Sequence, residues 1–120
     1  MTEKEKYREY DLEERALVFS KRAVKFCRAL PKSMIDAEIG KQLMRSCSSV
    51  GANYIEANEC LGRKDFLMRI KICRKEAKEA RYWLALSEPL KEYHDEKTEL
   101  MSESTELMKI FASIMRKTIV

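Results

Sequence analysis

The chain has 120 residues, of which 45% are hydrophobic and 37% charged, with only three glycines and two prolines. That is the length of one domain, enough to bury a core without disulfide or metal support, and so few helix breakers point to an all-α fold. The net charge of +4 is too small to imply a nucleic-acid partner; such an argument rests on where the charges lie.

Residues 1–10 precede the first apolar stripe and are expected to form a flexible or partner-bound arm, leaving 11–120 as a single domain. The opening MTEKEKYREYDLEER is charged throughout and is unlike a signal peptide. No apolar run approaches the roughly 18 residues of a membrane span. A cytoplasmic protein is therefore expected, with Cys27, Cys47, Cys60 and Cys73 as reduced, buried thiols.

The first predicted helix covers about 11–30. Leu12, Ala16, Phe19, Ala23, Phe26 and Leu30 alternate steps of four and three, which puts them on one face. Pro31 follows as a breaker. Residues 15–32 hold six bases and no acid. Lys21, Arg22, Lys25 and Arg28 on the polar side are candidate phosphate contacts.

The second helix covers about 34–60, with Ile39, Leu43, Ser46, Val50, Asn53 and Ala57 as its stripe. Ser33 is the expected cap, with Asp36 at the capping-box position, and Gly62 the expected stop. Its middle reads RSCSSVGANYIEA. Serine and glycine are poor helix formers, so this run implies that something approaches the helix closely. Arg45, Ser46, Ser49, Gly51, Ala52, Asn53, Glu56 and Glu79 are candidate packing or subunit-interface residues. An ion pair of Arg45 with Glu79, or of Glu56 with a base of the third helix, is expected to fix register more than to add stability.

The third helix covers about 65–87, with Phe66, Ile70, Cys73, Ala77, Ala80 and Leu84 on one stripe and Pro89 beyond its end. Residues 62–82 hold eight bases against three acids. Arg63, Lys64, Lys71, Arg74, Lys75, Lys78 and Arg81 fall within about 120° of the helix circumference; Arg69 points elsewhere. Leu67 and Tyr82 share that arc. The fourth helix covers about 96–117, lined by Leu100, Ser104, Leu107, Phe111 and Ile114, after a linker that holds His94. Residues 88–106 carry seven acids against two lysines. Four helices with short joints predict an antiparallel up-down-up-down bundle.

No enzyme chemistry emerges. A di-iron bundle needs two Glu-x-x-His pairs, and the chain has one histidine. The cysteine gaps of 20, 13 and 13 contain no CxxC, so a zinc site is not expected. Glu76 and Glu79 offer too few oxygens for a hard cation. No Gly-rich phosphate loop, G-x-S-x-G or H-E-x-x-H occurs. The reading is a non-enzyme without cofactor. Its basic stripe is either a solvated face, or one paired with a neighbour's acidic segment, or a phosphate-tracking surface of low sequence selectivity.

Residues 45–86, RSCSSVGANYIEANECLGRKDFLMRIKICRKEAKEARYWLAL, carry a resemblance. Arg45-Ser46, Ser49-Val50-Gly51-Ala52-Asn53, Glu56-Ala57, Asp65-Phe66, Lys75-Glu76-Ala77, Glu79 and Tyr82-Trp83-Leu84 match, in register, the four helix bundle protein family. That family includes bacterial proteins encoded in intervening sequences of large-subunit ribosomal RNA genes. Cys47 and Tyr54 depart from it, standing where small or aliphatic residues are more usual. The resemblance implies a ring-like homopentamer and kinship to the accessory protein of diversity-generating retroelements, a basic pentamer that binds nucleic acid and works with a reverse transcriptase. Most members have no established activity. Two functions are therefore expected in competition: an accessory or scaffold protein that binds RNA or DNA electrostatically, beside a reverse transcriptase, and a purely structural or protein-partner module without nucleic acid.

Overall fold

The computed structural model describes the backbone of residues 3–119 and the side chains of residues 12–119. It contains four helices: α1 (Glu3–Arg28), α2 (Met34–Asn58), α3 (Arg63–Leu86) and α4 (His94–Ile119), with a 3-10 turn at Lys91–Tyr93 before α4. No strand occurs among the described residues. The arm expected over 1–10 falls on residues whose side chains lie outside those described. His94, expected in the linker, is the first residue of α4.

The helices pack as a bundle. α3 lies between α2 and α4, and α1 lies against α2 and touches α4 more sparsely. The four stripes meet in one core. Leu12, Ala16, Phe19, Ala23, Phe26, Leu30, Leu43, Val50, Ile70, Cys73, Leu84, Leu100, Leu107 and Phe111 are all buried. Tyr54 tilts against Phe111 with ring centroids 5.9 Å apart. Asn53 and Ile114, which belong to their helices' stripes, are half-buried.

Local signals act as the chain dictates at one end of α2 and differently at the other. Ser33 is extended and its Oγ accepts from the Asp36 N–H at 3.0 Å, satisfying one orphan donor of the first turn. The Ser33 hydroxyl also donates to the Asp36 carboxylate at 2.6 Å. Gly62 does not close α2. The helix ends at Asn58 with Glu59 as its cap, in ordinary right-handed geometry. No described residue has a positive φ, so the left-handed glycine stop is absent and Gly62 serves instead as the extended N-cap of α3.

The small-residue run of α2 faces two neighbours at once. Toward α1, a Cβ placed on Gly51 meets Ala16 Cβ at 3.5 Å, Ser20 Oγ donates to the Cys47 carbonyl at 3.1 Å, and the Cys27 thiol donates to the Gly40 carbonyl at 3.4 Å. A glycine-sized surface lets α1 approach closely enough for its side chains to reach α2 backbone. Toward α3, Ser46 and Val50 are buried, and Ser46 satisfies its hydroxyl on the Gln42 and Leu43 carbonyls of its own helix. Numbering along the two neighbours runs in opposite senses: Ala16, Ser20 and Cys27 meet Gly51, Cys47 and Gly40.

Two substitutions at Gly51 are expected to act in opposite directions. Gly51→Ala places its methyl at ordinary contact distance from Ala16 and removes a mid-helix glycine, so stability should rise by about 0.5–1 kcal/mol. Gly51→Leu has to push α1 outward and should cost about 1–3 kcal/mol. Urea unfolding of both variants checks this; equal stabilisation by both would mean that α1 does not lie close at this point.

Candidate nucleic-acid interface

α3 buries Ile70, Cys73, Glu76, Ala77, Ala80 and Leu84. With that stripe turned inward, helical geometry carries the basic arc outward. Lys64, Lys71, Arg74, Lys75 and Lys78 are exposed and have no ion pair or hydrogen bond among the described residues. The other two members of the arc lean onto α4: Arg63 donates to the Thr118 carbonyl, and Arg81 Nε donates to Thr105 Oγ1 at 3.0 Å. Arg69 turns the other way and donates to Asn53 Oδ1 at 2.9 Å, while Asn53 Nδ2 donates to the Ser49 carbonyl at 2.9 Å. The arc therefore reduces to five free cations along one face. Tyr82, 60% exposed, stands beside it, with its ring edge-on to Trp83 at 5.3 Å.

The basic face of α1 divides in the same way. Lys21, Lys25 and Arg28 are exposed without a partner among the described residues. Arg22 is not free: it donates to Glu96 through Nε at 3.2 Å and through Nη2, and to Glu99 at 2.9 Å. The hydrogen bonds to Glu96, with its charge and that of Glu99, raise the Arg22 pKa against the opposing cost of desolvation. Two helical turns earlier on the same face, Arg15 grips Glu103 through two bonds of 2.7 Å, the forked geometry that suits guanidinium to carboxylate. Much of the acidic charge that opens α4 is thus neutralised within the chain by α1. α1 and α3 are each flanked by α2 and α4, so the two remaining basic faces look out from opposite sides of a body 46 × 27 × 19 Å in extent.

The candidate packing residues separate into three groups. Ser46, Gly51 and Asn53 serve the contacts inside the bundle described above. Arg45 bridges α2 to α3: Nη1 lies 3.1 Å from Glu76, whose side chain is only 9% exposed, and Nη2 reaches Glu79. Glu79 also accepts from Trp83 Nε1 at 3.1 Å. Ala52 and Glu56 are exposed, Ser49 is half-buried, and Glu56 has no ion pair among the described residues. Glu76 and Glu79, which the sequence offers as partners for Arg45 or Lys75 rather than as metal ligands, both engage Arg45 and not Lys75. The Arg15–Arg22 register against Glu96, Glu99 and Glu103 was a usable signal, since both sets repeat at seven residues and sit at matching heights.

No group of three or more His, Cys, Asp or Glu side chains could hold a metal ion among the described residues. No described helix is long and apolar enough to cross a membrane. The four cysteines are free thiols. Burial pushes Cys27 up to about 11 and Cys73 up to about 12, and raises Cys47 further still, with a smaller push from Cys27. These thiols hold their protons more tightly folded than unfolded. Stability is therefore whole below the unfolded value near 9.0 and falls as pH rises above it, by up to about 1.4 kcal/mol per pH unit for each thiol. Iodoacetamide at pH 8 is expected to label the half-buried Cys60 first and to reach Cys47 and Cys73 only after unfolding, as intact mass will show.

No curated protein matches the chain. A solved structure does: a protein of unknown function from the S23 ribosomal protein family of Bacteroides thetaiotaomicron, 32% identical, with a TM-score of 0.74 over 86% of this chain and 96% of that one. The family model for 23S rRNA-intervening sequence proteins matches residues 8–113. Matched over nearly its whole length by both sequence pattern and fold, the chain belongs to the 23S rRNA-intervening sequence protein family.

Proposed function

We propose that this protein is a non-enzymatic, cytoplasmic homo-oligomer that binds RNA or DNA through phosphates along α3, as an accessory or scaffold to a nucleic-acid enzyme such as a reverse transcriptase. The observation that carries the reading is the row of Lys64, Lys71, Arg74, Lys75 and Lys78, exposed on one helix face with no acid engaged against them among the described residues. Cations that share one helix face without partners suit a polyphosphate, and repetition around a ring multiplies their field. Such contacts position a strand without reading its sequence. An up-down-up-down antiparallel course within each bundle is supported by the opposed numbering of Arg45 and Asn53 against Glu76 and Arg69, and of Arg15 and Arg22 against Glu103 and Glu96. The ring-like homopentamer rests on the family resemblance.

The test is mass by light scattering, with and without a 20-nucleotide RNA, at rising salt. Binding is expected at low salt, with the logarithm of affinity falling against the logarithm of salt at a slope of about 3–4 for five neutralised phosphates on a single strand. No RNA-bound mass at low salt, or binding indifferent to salt, would overturn the reading. A second reading, a module for protein partners, is favoured by exposed apolar side chains at the α1–α2 end, Met34 at 90% and Ile35 at 73%; an oligomer that ignores RNA would select it.

A further inference from the structure

At the α1–α2 end of the bundle an open groove of about 640 Å³ lies between the last turn of α1 and the first turns of α2. Its floor is apolar, with Leu30, Pro31, Ala37, Gly40 and Met44, and Arg28, Lys32 and Lys41 line its rim. Asp36, the acid that also lines it, is already bonded to Ser33. The rim cations have no partner among the described residues.

The opposite edge of the same end bears the complementary chemistry. The segment from the end of α3 to the start of α4 exposes Leu86 and Leu90, each at 48%. Glu88, Glu92 and Asp95 surround them, exposed and without ion pairs among the described residues; Lys91 is the one base interspersed. The two segments share one end of the molecule, because Phe26 of α1 meets Tyr93 of the linker edge-on at 6.4 Å. They lie on opposite edges because α1 neighbours α4 and α2 neighbours α3. One molecule thus presents an apolar groove with a basic rim on one side and an apolar projection with acidic flanks on the other, at the same height.

We infer that the α1–α2 groove receives the Leu86–Asp95 segment of a second copy of this chain, with Leu90 of that copy on the apolar floor and its Glu88 and Glu92 against Lys32 and Lys41. The contact is heterologous: each copy gives one surface and takes the other. Because both surfaces stand at the same end, successive copies sit side by side with their bundles aligned. Such a contact closes into a ring when the rotation per copy divides the circle. The inference rests on the homo-oligomer reading and supplies the surfaces for it.

Charge reversal tests it. Lys32→Glu/Lys41→Glu and Glu88→Lys/Glu92→Lys, all surface changes, are made separately and then together in one chain. Mass is read by light scattering and helix content by circular dichroism. Each pair alone is expected to reduce the assembly to the 14.1 kDa of the single chain, and the chain carrying all four to regain it. An oligomer unaffected by either pair would overturn the inference and leave the homo-oligomer reading standing. Loss in both pairs without recovery in the fourfold variant would also overturn it, since the two surfaces then do not face each other. A wild-type chain that is monomeric at all concentrations would remove both readings and leave the groove to a different partner.

Discussion

Phe111→Ala is expected to lower the free energy of unfolding by about 3–5 kcal/mol, the range of the largest core truncations. Phe111 is fully buried and meets the Tyr54 ring across the core. Removing the ring deletes its transfer energy, forfeits the aromatic contact and leaves a cavity that helices held on both sides cannot collapse. Against a total of roughly 5–15 kcal/mol for a domain of this size, the loss is at least about a fifth of the stability. Tyr82→Ala is the matched control: that ring is exposed, so the change should fall within about 0.5 kcal/mol. Thermal and urea unfolding monitored by circular dichroism separates the two. Equal small losses would mean that Phe111 is not packed as described.

Replacing Lys71, Arg74, Lys75 and Lys78 together by alanine is expected to weaken RNA binding on the order of 100-fold at low salt and to flatten the salt slope by about 3. None of the four bonds to another part of the described chain, so helix content and unfolding midpoint should hardly move. That separates them from Arg45 or Arg22, whose removal would leave carboxylates without their partners. The parallel variant Lys21→Ala/Lys25→Ala/Arg28→Ala asks which face the nucleic acid uses, because the two faces stand on opposite sides of the bundle. Unchanged affinity in the α3 variant and loss in the α1 variant would transfer the site to α1. Loss in neither would end the electrostatic reading. Tyr82→Ala adds a finer readout: about 1–3 kcal/mol of binding would identify a base stacked on the ring.

The interior of this protein is legible in its pattern because burial and helical period are coupled directly. A side chain every three or four residues has one place to go once the helix forms; the buried residues described in α1 are Leu12, Ala16, Phe19, Ala23 and Phe26, all of its stripe, and the sixth member, Leu30, is buried just past the helix end. The Ser33 cap is legible for a similar reason, since donor and acceptor sit three residues apart on one short turn. Gly40, Cys47 and Tyr54 lie beside the stripe of α2 rather than on it, and of these the sequence predicts burial only for Cys47. Gly40 and Cys47 are covered by α1 from a second direction, while Tyr54 meets Phe111 of α4, and a helix with more than one neighbour buries a wider arc than a single stripe describes. Gly62 was misread because a glycine between two helices fits either role, and only the backbone angles distinguish a stop from a cap.

The sequence by itself determined the four helices, the core face of each, and the concentration of positive charge on α1 and α3, because period and composition act locally. The tertiary structure alone decided which of those charges are spent. Arg15 and Arg22 are bound to α4, Arg45 to Glu76 and Glu79, Arg69 to Asn53, and Arg63 and Arg81 to α4, while Lys64, Lys71, Arg74, Lys75 and Lys78 have no partner among the described residues. Charge pairing depends on distances between residues far apart in the chain, falling off within a few ångströms in water. Periodicity places a side chain on its own helix; the neighbour it meets is fixed only when the helices pack.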